Sequence, residues 1–340
     1  MPRSIFVMCN NYPGYGGAAT NAYNLIKTLR RKYINVIGIF FDNNPNNNVD
    51  PDGIGKIYQC KEYLFLYGQE RAIIDRVRSI GVIPDTILCK NSSTVCYARR
   101  MYPEAKIVYL CPGLNGMVDM ENLIELKISV TDVEKNAVRT CNMIVFNSEI
   151  VKTIFNQAFP NYKNKIFSKV INSSQHHTTH PEYLNEKKTL DIVIAASILT
   201  RPEKNNLFLI DILKHKEFEK YSKSIIGNDN TLFLDIPNSE IYDIIPQNQL
   251  LHIMSKSKLL IFPSIYDSNP STVLEALYYG CAVLVSSNLD ISKSLPEICV
   301  CDSFDQREWK KKASYLIDNY QNIKINYKKE ICDTIFAIFD

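Results

Sequence analysis

The sequence predicts an α/β chain made of two doubly wound parallel sheets. Three observations carry that expectation. Short β-prone apolar runs alternate with helix-period segments from residue 4 to about 158. The polar stretch 172–189, NSSQHHTTHPEYLNEKKT, interrupts the alternation. The alternation then restarts at Leu190. A length of 340 residues is enough for two cores. The expected division is 1–172, a linker 173–189, a second half 190–322, and a C-terminal helix 323–340 that can cross back onto the first half.

In the first half, residues 4–9 read as a strand. A glycine loop follows at Pro13–Gly17, then a helix from about Ala18 to Arg31. Val36–Phe41 is the second strand, and the asparagine-rich 42–55 is a loop. Ile73, Ile74 and Val77 give helical spacing to a segment from about Gln69 to Ile80. Strands at Thr86–Cys89 and Ile107–Leu110 enclose a helix. Val133–Thr140 is helical, Met143–Phe146 is a strand, and Ser148 caps a helix over 149–158.

In the second half the order is DIVIAAS, a helix at about 205–214, IYDII, a helix at 247–256, KLLIFPS, a short acidic helix and AVLVSS. Helices over about 306–320 and 326–338 close the chain.

Composition excludes several function classes. The apolar fraction of 46% and charged fraction of 22% are those of a globular protein. A net charge of +3 is too small to suggest nucleic acid as partner. No apolar run reaches membrane-spanning length. Ten cysteines without a CxxC pair fit reduced thiols and a cytoplasmic setting. The start, MPRSIFVMCNNYP, is too short and polar for a secretion leader.

The most informative stretch is IFPSIYDSNPSTVLEALYYGCAVLVSS, residues 261–287. It reads as a buried strand, a loop carrying Asp267, a helix carrying Glu275, a stop at Gly280 and another buried strand. Asn269 is the expected N-cap and Pro270 the first helical residue. The amides of Ser271 and Thr272 would then be free to meet an anion, best a phosphate. Carboxylates flanking such a turn suit sugar hydroxyls rather than phosphate.

This segment resembles the donor-site signature of retaining GT-B glycosyltransferases of the family 4-like type, which includes glycogen, sucrose and mannosyl transferases. The resemblance rests on Asp267 and Glu275 eight positions apart, then Ala276, Gly280 and Ala282–Val285. It implies two Rossmann-like domains facing a central crevice. It implies that Asp267, a shorter stand-in for the usual Glu, meets the donor hexose and that Glu275 meets the ribose. After the first strand of the second half the family carries Gly-Arg, a loop and Lys, whose cations clamp the diphosphate. Here Lys204 matches, Ser197-Ile198 replaces Gly-Arg so the usual arginine is missing, and Arg201, three residues later, is the candidate substitute beside the alternative of a solvated surface cation. Backbone near Ile245 would meet the base, and Gly16-Gly17 would let the backbone approach the ligands. The family histidine that follows the strand near 107–110 is missing; the chain has Tyr109-Leu110-Cys111-Pro112-Gly113.

The function expected is transfer of a hexose from a UDP- or GDP-sugar to a carbohydrate, lipid or protein acceptor, without metal or cofactor. Three other patterns in the chain point elsewhere. Gly14-x-Gly16-x-x-Ala19 with Asp42 satisfies a dinucleotide fingerprint, but Cys9 to Pro13 separate it from the strand end. His176-His177-x-x-His180 lies in the polar linker without helical context, and Cys299-Val300-Cys301 fits alternation on a strand. A GT-B sugar-nucleotide epimerase and a silent sugar-nucleotide-binding scaffold are the alternative functions.

Overall fold

The computed structural model describes residues 4–10, 16–42, 63–67, 74–75, 77–113, 130–171, 180–323 and 333–339. The chain divides into two compact units, Met1–His177 with Ile331–Asp340, and Thr178–Glu330. Each holds one six-stranded sheet.

In the first unit the strands are β1 (Ser4–Cys9), β2 (Asn35–Asp42), β3 (Tyr63–Tyr67), β4 (Thr86–Cys89), β5 (Lys106–Cys111) and β6 (Met143–Phe146). Their spatial order is β3-β2-β1-β4-β5-β6, and every pairing is parallel. The second unit has β7 (Leu190–Ile198), β8 (Lys223–Asn228), β9 (Ser239–Tyr242), β10 (Ser257–Phe262), β11 (Ala282–Ser286) and β12 (Val300–Cys301). Read from β9, its order is β9-β8-β7-β10-β11-β12, the same winding, again all parallel. Both central strands are buried on both faces, as apolar runs without alternation require: Ile5–Met8 and Ile192–Ile194 are sealed from solvent.

Strands β4 and β6 and the helices Glu149–Ala158 and Gln247–Lys256 fall where the sequence put them. Ser148 Oγ accepts the Val151 amide at 3.4 Å, the cap expected there. Cys299 leads into the two-residue β12, so Val300-Cys301 is strand, and both cysteines are buried free thiols.

Several expectations are corrected. The first helix spans Gly16–Leu29, so Gly16 and Gly17 lie in its first turn rather than in a loop. Two glycines permit a loop but do not forbid a helix. The helix expected over 205–214 is a turn of 3-10 helix, Asn206–Phe208, then Leu209–Leu213. Asn205 breaks it, held left-handed at φ 51°. The strand read from IYDII ends at Tyr242, and Ile244 is exposed. β3 and β8 have no counterpart in the sequence reading. Strand β8 begins with a buried lysine, Lys223, which donates to the carbonyls of Phe218, Tyr221 and Pro237 at 2.7–2.8 Å. At the C-terminus the described part is 3-10 helix, Asp333–Ile338. It packs in the first unit's core, where Ile335, Ile338 and Phe339 are buried and Lys106 Nζ donates to the Ile338 carbonyl at 3.0 Å. His176, His177, Asp42's following loop and Gly14 lie outside the described residues.

Candidate functional site

In the second sheet, winding reverses between β7 and β10, which are hydrogen-bonded neighbours. Loops leaving the carboxyl ends of two such strands run to opposite sides and open a cleft, the place where doubly wound sheets bind ligands. Here those loops are 199–206 and 263–270. They are tied by backbone: the Ile265 amide donates to the Glu203 carbonyl at 2.9 Å.

That tie brings two of the sequence-derived residues together. Lys204 ends the 3-10 turn Pro202–Lys204, and its Nζ donates to Asp267 Oδ2. Both side chains are mostly buried, 18% and 14% exposed. The ammonium also lies 5.3 Å from the ring centroid of Phe262, the last residue of β10. The other carboxylate oxygen, Asp267 Oδ1, accepts the Asn269 amide at 2.9 Å. Asp267 therefore holds the shape of its own loop and the position of the lysine.

This loop geometry corrects the cap. The helix runs Ser271–Tyr278 with Pro270 at the N-cap position, not Asn269. The reason is the Asp267 bond to the Asn269 amide, followed by a tight turn in which the Ser271 amide donates to the Asn269 carbonyl at 2.7 Å. Ser271 is thus not a free amide. The Thr272 amide has no partner among the described residues and is the donor the helix start presents.

Arg201 takes a different place from the one expected. Its guanidinium pairs with Glu203, whose side chain is 12% exposed against 48% for the arginine. Glu203 is a site residue that the sequence reading passed over. Its signal was weak, because one Glu between two cations looks like a solvated surface. Ser264, at the start of the second loop, is also buried, and its hydroxyl oxygen has no hydrogen-bond partner among the described residues.

Glu275 lies on the second turn of its helix and is 8% exposed. Its Oε1 accepts Gln247 Nε2 at 3.0 Å. Ile245 packs half-buried against a cluster that includes Leu251, Val273 and Ala276, so it anchors the chain just before that glutamine.

The first unit has its own reversal, between β1 and β4. Amides fill it. The Asn10 amide donates to Asn91 Oδ1 at 3.0 Å and its side chain to Ser93 Oγ at 2.5 Å. Lys90 is buried there and donates to Asn21 Oδ1 at 3.0 Å. Burial pulls its ammonium down to about 8. Beside it, Cys111, Pro112 and Asn147 line a cavity of about 10 Å³, room for one water. Nothing in the sequence marks Lys90, since Cys-Lys-Asn after a strand has no motif. Tyr109 is sealed in the core, and burial holds its hydroxyl well above the usual range.

No protein-family model matches the chain, and no curated relative matches it. Solved structures do. Anabaena Alr3699/HepE in complex with UDP-glucose superposes with a TM-score of 0.69 at 14% identity, over 94% of this chain and 91% of that one. The fold is GT-B. WaaG, a glycosyltransferase involved in lipopolysaccharide biosynthesis, matches at 0.64 and 11% identity, over 98% and 99%. A UDP-N-acetylglucosamine 2-epimerase assignment from Listeria monocytogenes, given there as putative, matches at 0.57 and 13%, over 100% and 97%. Among the described residues, no helix is long and apolar enough to cross a membrane.

Proposed function

We propose that this protein moves a hexose from a nucleoside diphosphate sugar to an acceptor hydroxyl with retention of configuration. The observation that carries the proposal is the Lys204–Asp267 pair at the reversal point of the second sheet, beside the start of the Ser271–Tyr278 helix. In this reading the diphosphate sits between the Lys204 ammonium and the Thr272 amide. Both bear on the charge that grows as the sugar–phosphate bond breaks. Asp267 accepts from the hexose hydroxyls and Glu275 from the ribose. Arg201 is drawn to the phosphates only if it leaves Glu203. In the reaction the C1–O bond to phosphate breaks, a C1–O bond to the acceptor forms on the same face, and the acceptor proton passes to the departing phosphate oxygen. The fold's likeness to HepE, whose structure holds UDP-glucose, supports a sugar-nucleotide donor.

The base, uracil or guanine, and the donor hexose follow from experiment. Melting the chain with UDP-glucose, UDP-galactose and GDP-mannose separates them, since a ligand at about 100 times its Kd stabilises by about 2.7 kcal/mol. No shift with any of them overturns the proposal. Activity is expected to survive EDTA, because cation and amide are supplied by the chain. A second reading follows from the likeness to the epimerase. Interconversion of UDP-N-acetylhexosamines without an acceptor would select it; nucleoside diphosphate release that requires an acceptor selects transfer.

A further inference from the structure

We infer that Gln247 is a positioning residue for Glu275, and that it sets how strongly the site distinguishes a ribonucleotide from its deoxy form. The inference rests on the proposed nucleotide-sugar reading of the second unit.

Glu275 has two requirements that conflict. It is nearly buried, 8% exposed, so its carboxylate needs hydrogen-bond donors. To bind a ribose it must also keep its negative charge and its accepting capacity. A side-chain amide meets both. Gln247 Nε2 donates to Oε1 at 3.0 Å and is itself an uncharged donor.

The placement is built by the fold. Pro246 stands at the N-cap of the Gln247–Lys256 helix with φ −54°, which fixes the direction of entry. Ile245 is anchored in the cluster holding Leu251, Val273 and Ala276, so the Gln247 helix and the Glu275 helix share one core. Gln247 is therefore the first residue of one helix, aimed at the second turn of its neighbour. The side chain has three torsions, and the bond to Glu275 selects one arrangement for each partner.

The test is titration of wild type, Gln247→Ala, Gln247→Met and Glu275→Gln with UDP and GDP and with their 2′-deoxy and 3′-deoxy forms. Wild type should prefer one ribonucleotide over a deoxy form by about tenfold, equivalent to about 1.4 kcal/mol. Both Gln247 variants should lose most of that ratio, falling to about threefold or less, while a purely structural role would weaken all ligands by one factor and leave the ratio unchanged. Gln247→Ala added to Glu275→Gln should change the ratio no further than Glu275→Gln alone, because both act on one contact. Gln247→Met keeps the bulk and removes the donor, so it answers if alanine disturbs the helix start. A wild-type ratio retained in Gln247→Met overturns the inference alone. A wild type that binds nucleotide without telling ribose from deoxyribose overturns it together with the ribose role of Glu275. A wild type that binds neither nucleotide overturns the site reading beneath both.

Discussion

The two sheets share one winding and differ in what their reversal points hold. In the first, Asn10 bonds to Asn91 and Ser93, and Lys90, sealed inside, bonds to Asn21. In the second, a lysine and an aspartate meet partly open to solvent, and a second ion pair, Arg201–Glu203, stands in the same loop. The strands beneath differ as well. The β1–β2 register runs unbroken from Ser4↔Asn35 to Cys9↔Phe40, whereas β7–β8 carries an irregularity between Ala195 and Ile198. The same winding thus carries a regular register and no ion pair at one reversal point among the described residues, and an irregular register with two ion pairs at the other.

The largest expected effect comes from placing a side chain against that irregularity. Gly227 has φ +148°, and a Cβ there would lie 2.0 Å from the Ala196 carbonyl oxygen. The obstacle is backbone, so it cannot swing aside. Backbone strain and overpacking each cost about 1–3 kcal/mol, so Gly227→Ala should destabilise the second unit by on the order of 3 kcal/mol. Trp309 is the chain's single tryptophan and is buried in that unit's core. Its fluorescence in urea follows the second unit specifically. An unchanged midpoint would mean the strand ends can separate freely.

Next in size is Lys204→Ala. A hydrogen bond involving a charged group contributes about 1.5–3 kcal/mol, so nucleoside diphosphate affinity should fall at least tenfold. Lys90→Met, the counterpart at the first reversal point, should leave that affinity unchanged. Equal losses in both variants, measured by calorimetry, would erase the functional difference between the units.

How much of this was legible in the sequence follows from the range of each interaction. Ser148 capping its helix is local, and local chemistry is readable. The acidic helix was readable too, because Asp267, Glu275 and Gly280 fall in one short segment. Its first turn was misread, since the Asp267 side chain reaches two residues along to the Asn269 amide and displaces the cap. The Lys204–Asp267 bond spans 63 positions and Lys90–Asn21 spans 69. No periodicity or spacing encodes such pairs; the winding of the sheet brings them together. β8 went unread because its leading residue is a lysine, whose burial depends on three carbonyls supplied by other segments.

The Lys204–Asp267 pair changes what Asp267→Asn should do. The asparagine keeps an oxygen for the Asn269 amide, so the loop should hold. It removes the charge that competes with phosphate for Lys204. Exposed pairs are worth about 0.2–1 kcal/mol and this one is mostly buried, so nucleoside diphosphate should bind more tightly by at least about 1.4-fold. Transfer should nonetheless slow, because the acceptor for the hexose hydroxyls has lost its charge. Tighter binding with slower turnover is the signature. Weaker binding would show that the carboxylate holds the lysine in place for phosphate and does not compete with it.

The smallest effect sets the two buried lysines side by side. Burial lowers Lys90, in the first unit, and Lys223, in the second, from 10.5 to about 8. Between those values the unfolded chain binds more protons than the folded one, so stability rises with pH, by at most about 1.4 kcal/mol per unit for each lysine. The thiols act the other way. Burial pushes Cys111, Cys281 and Cys301 up to about 12, and Cys141 and Cys299 to about 11, from an ordinary 9.0. Above about 9 the unfolded chain sheds those protons and the folded chain keeps them, so stability falls. Burial raises Cys89 and Cys96 as well, so the thiols outweigh the two lysines once both sets titrate. Urea midpoints should therefore climb slightly from pH 7 to a maximum between 8 and 9, then drop steeply. Lys90→Met should remove part of the climb and leave the alkaline drop in place, because the thiols are untouched. A midpoint that only declines from pH 7 would mean that neither lysine is buried as a charge at neutral pH.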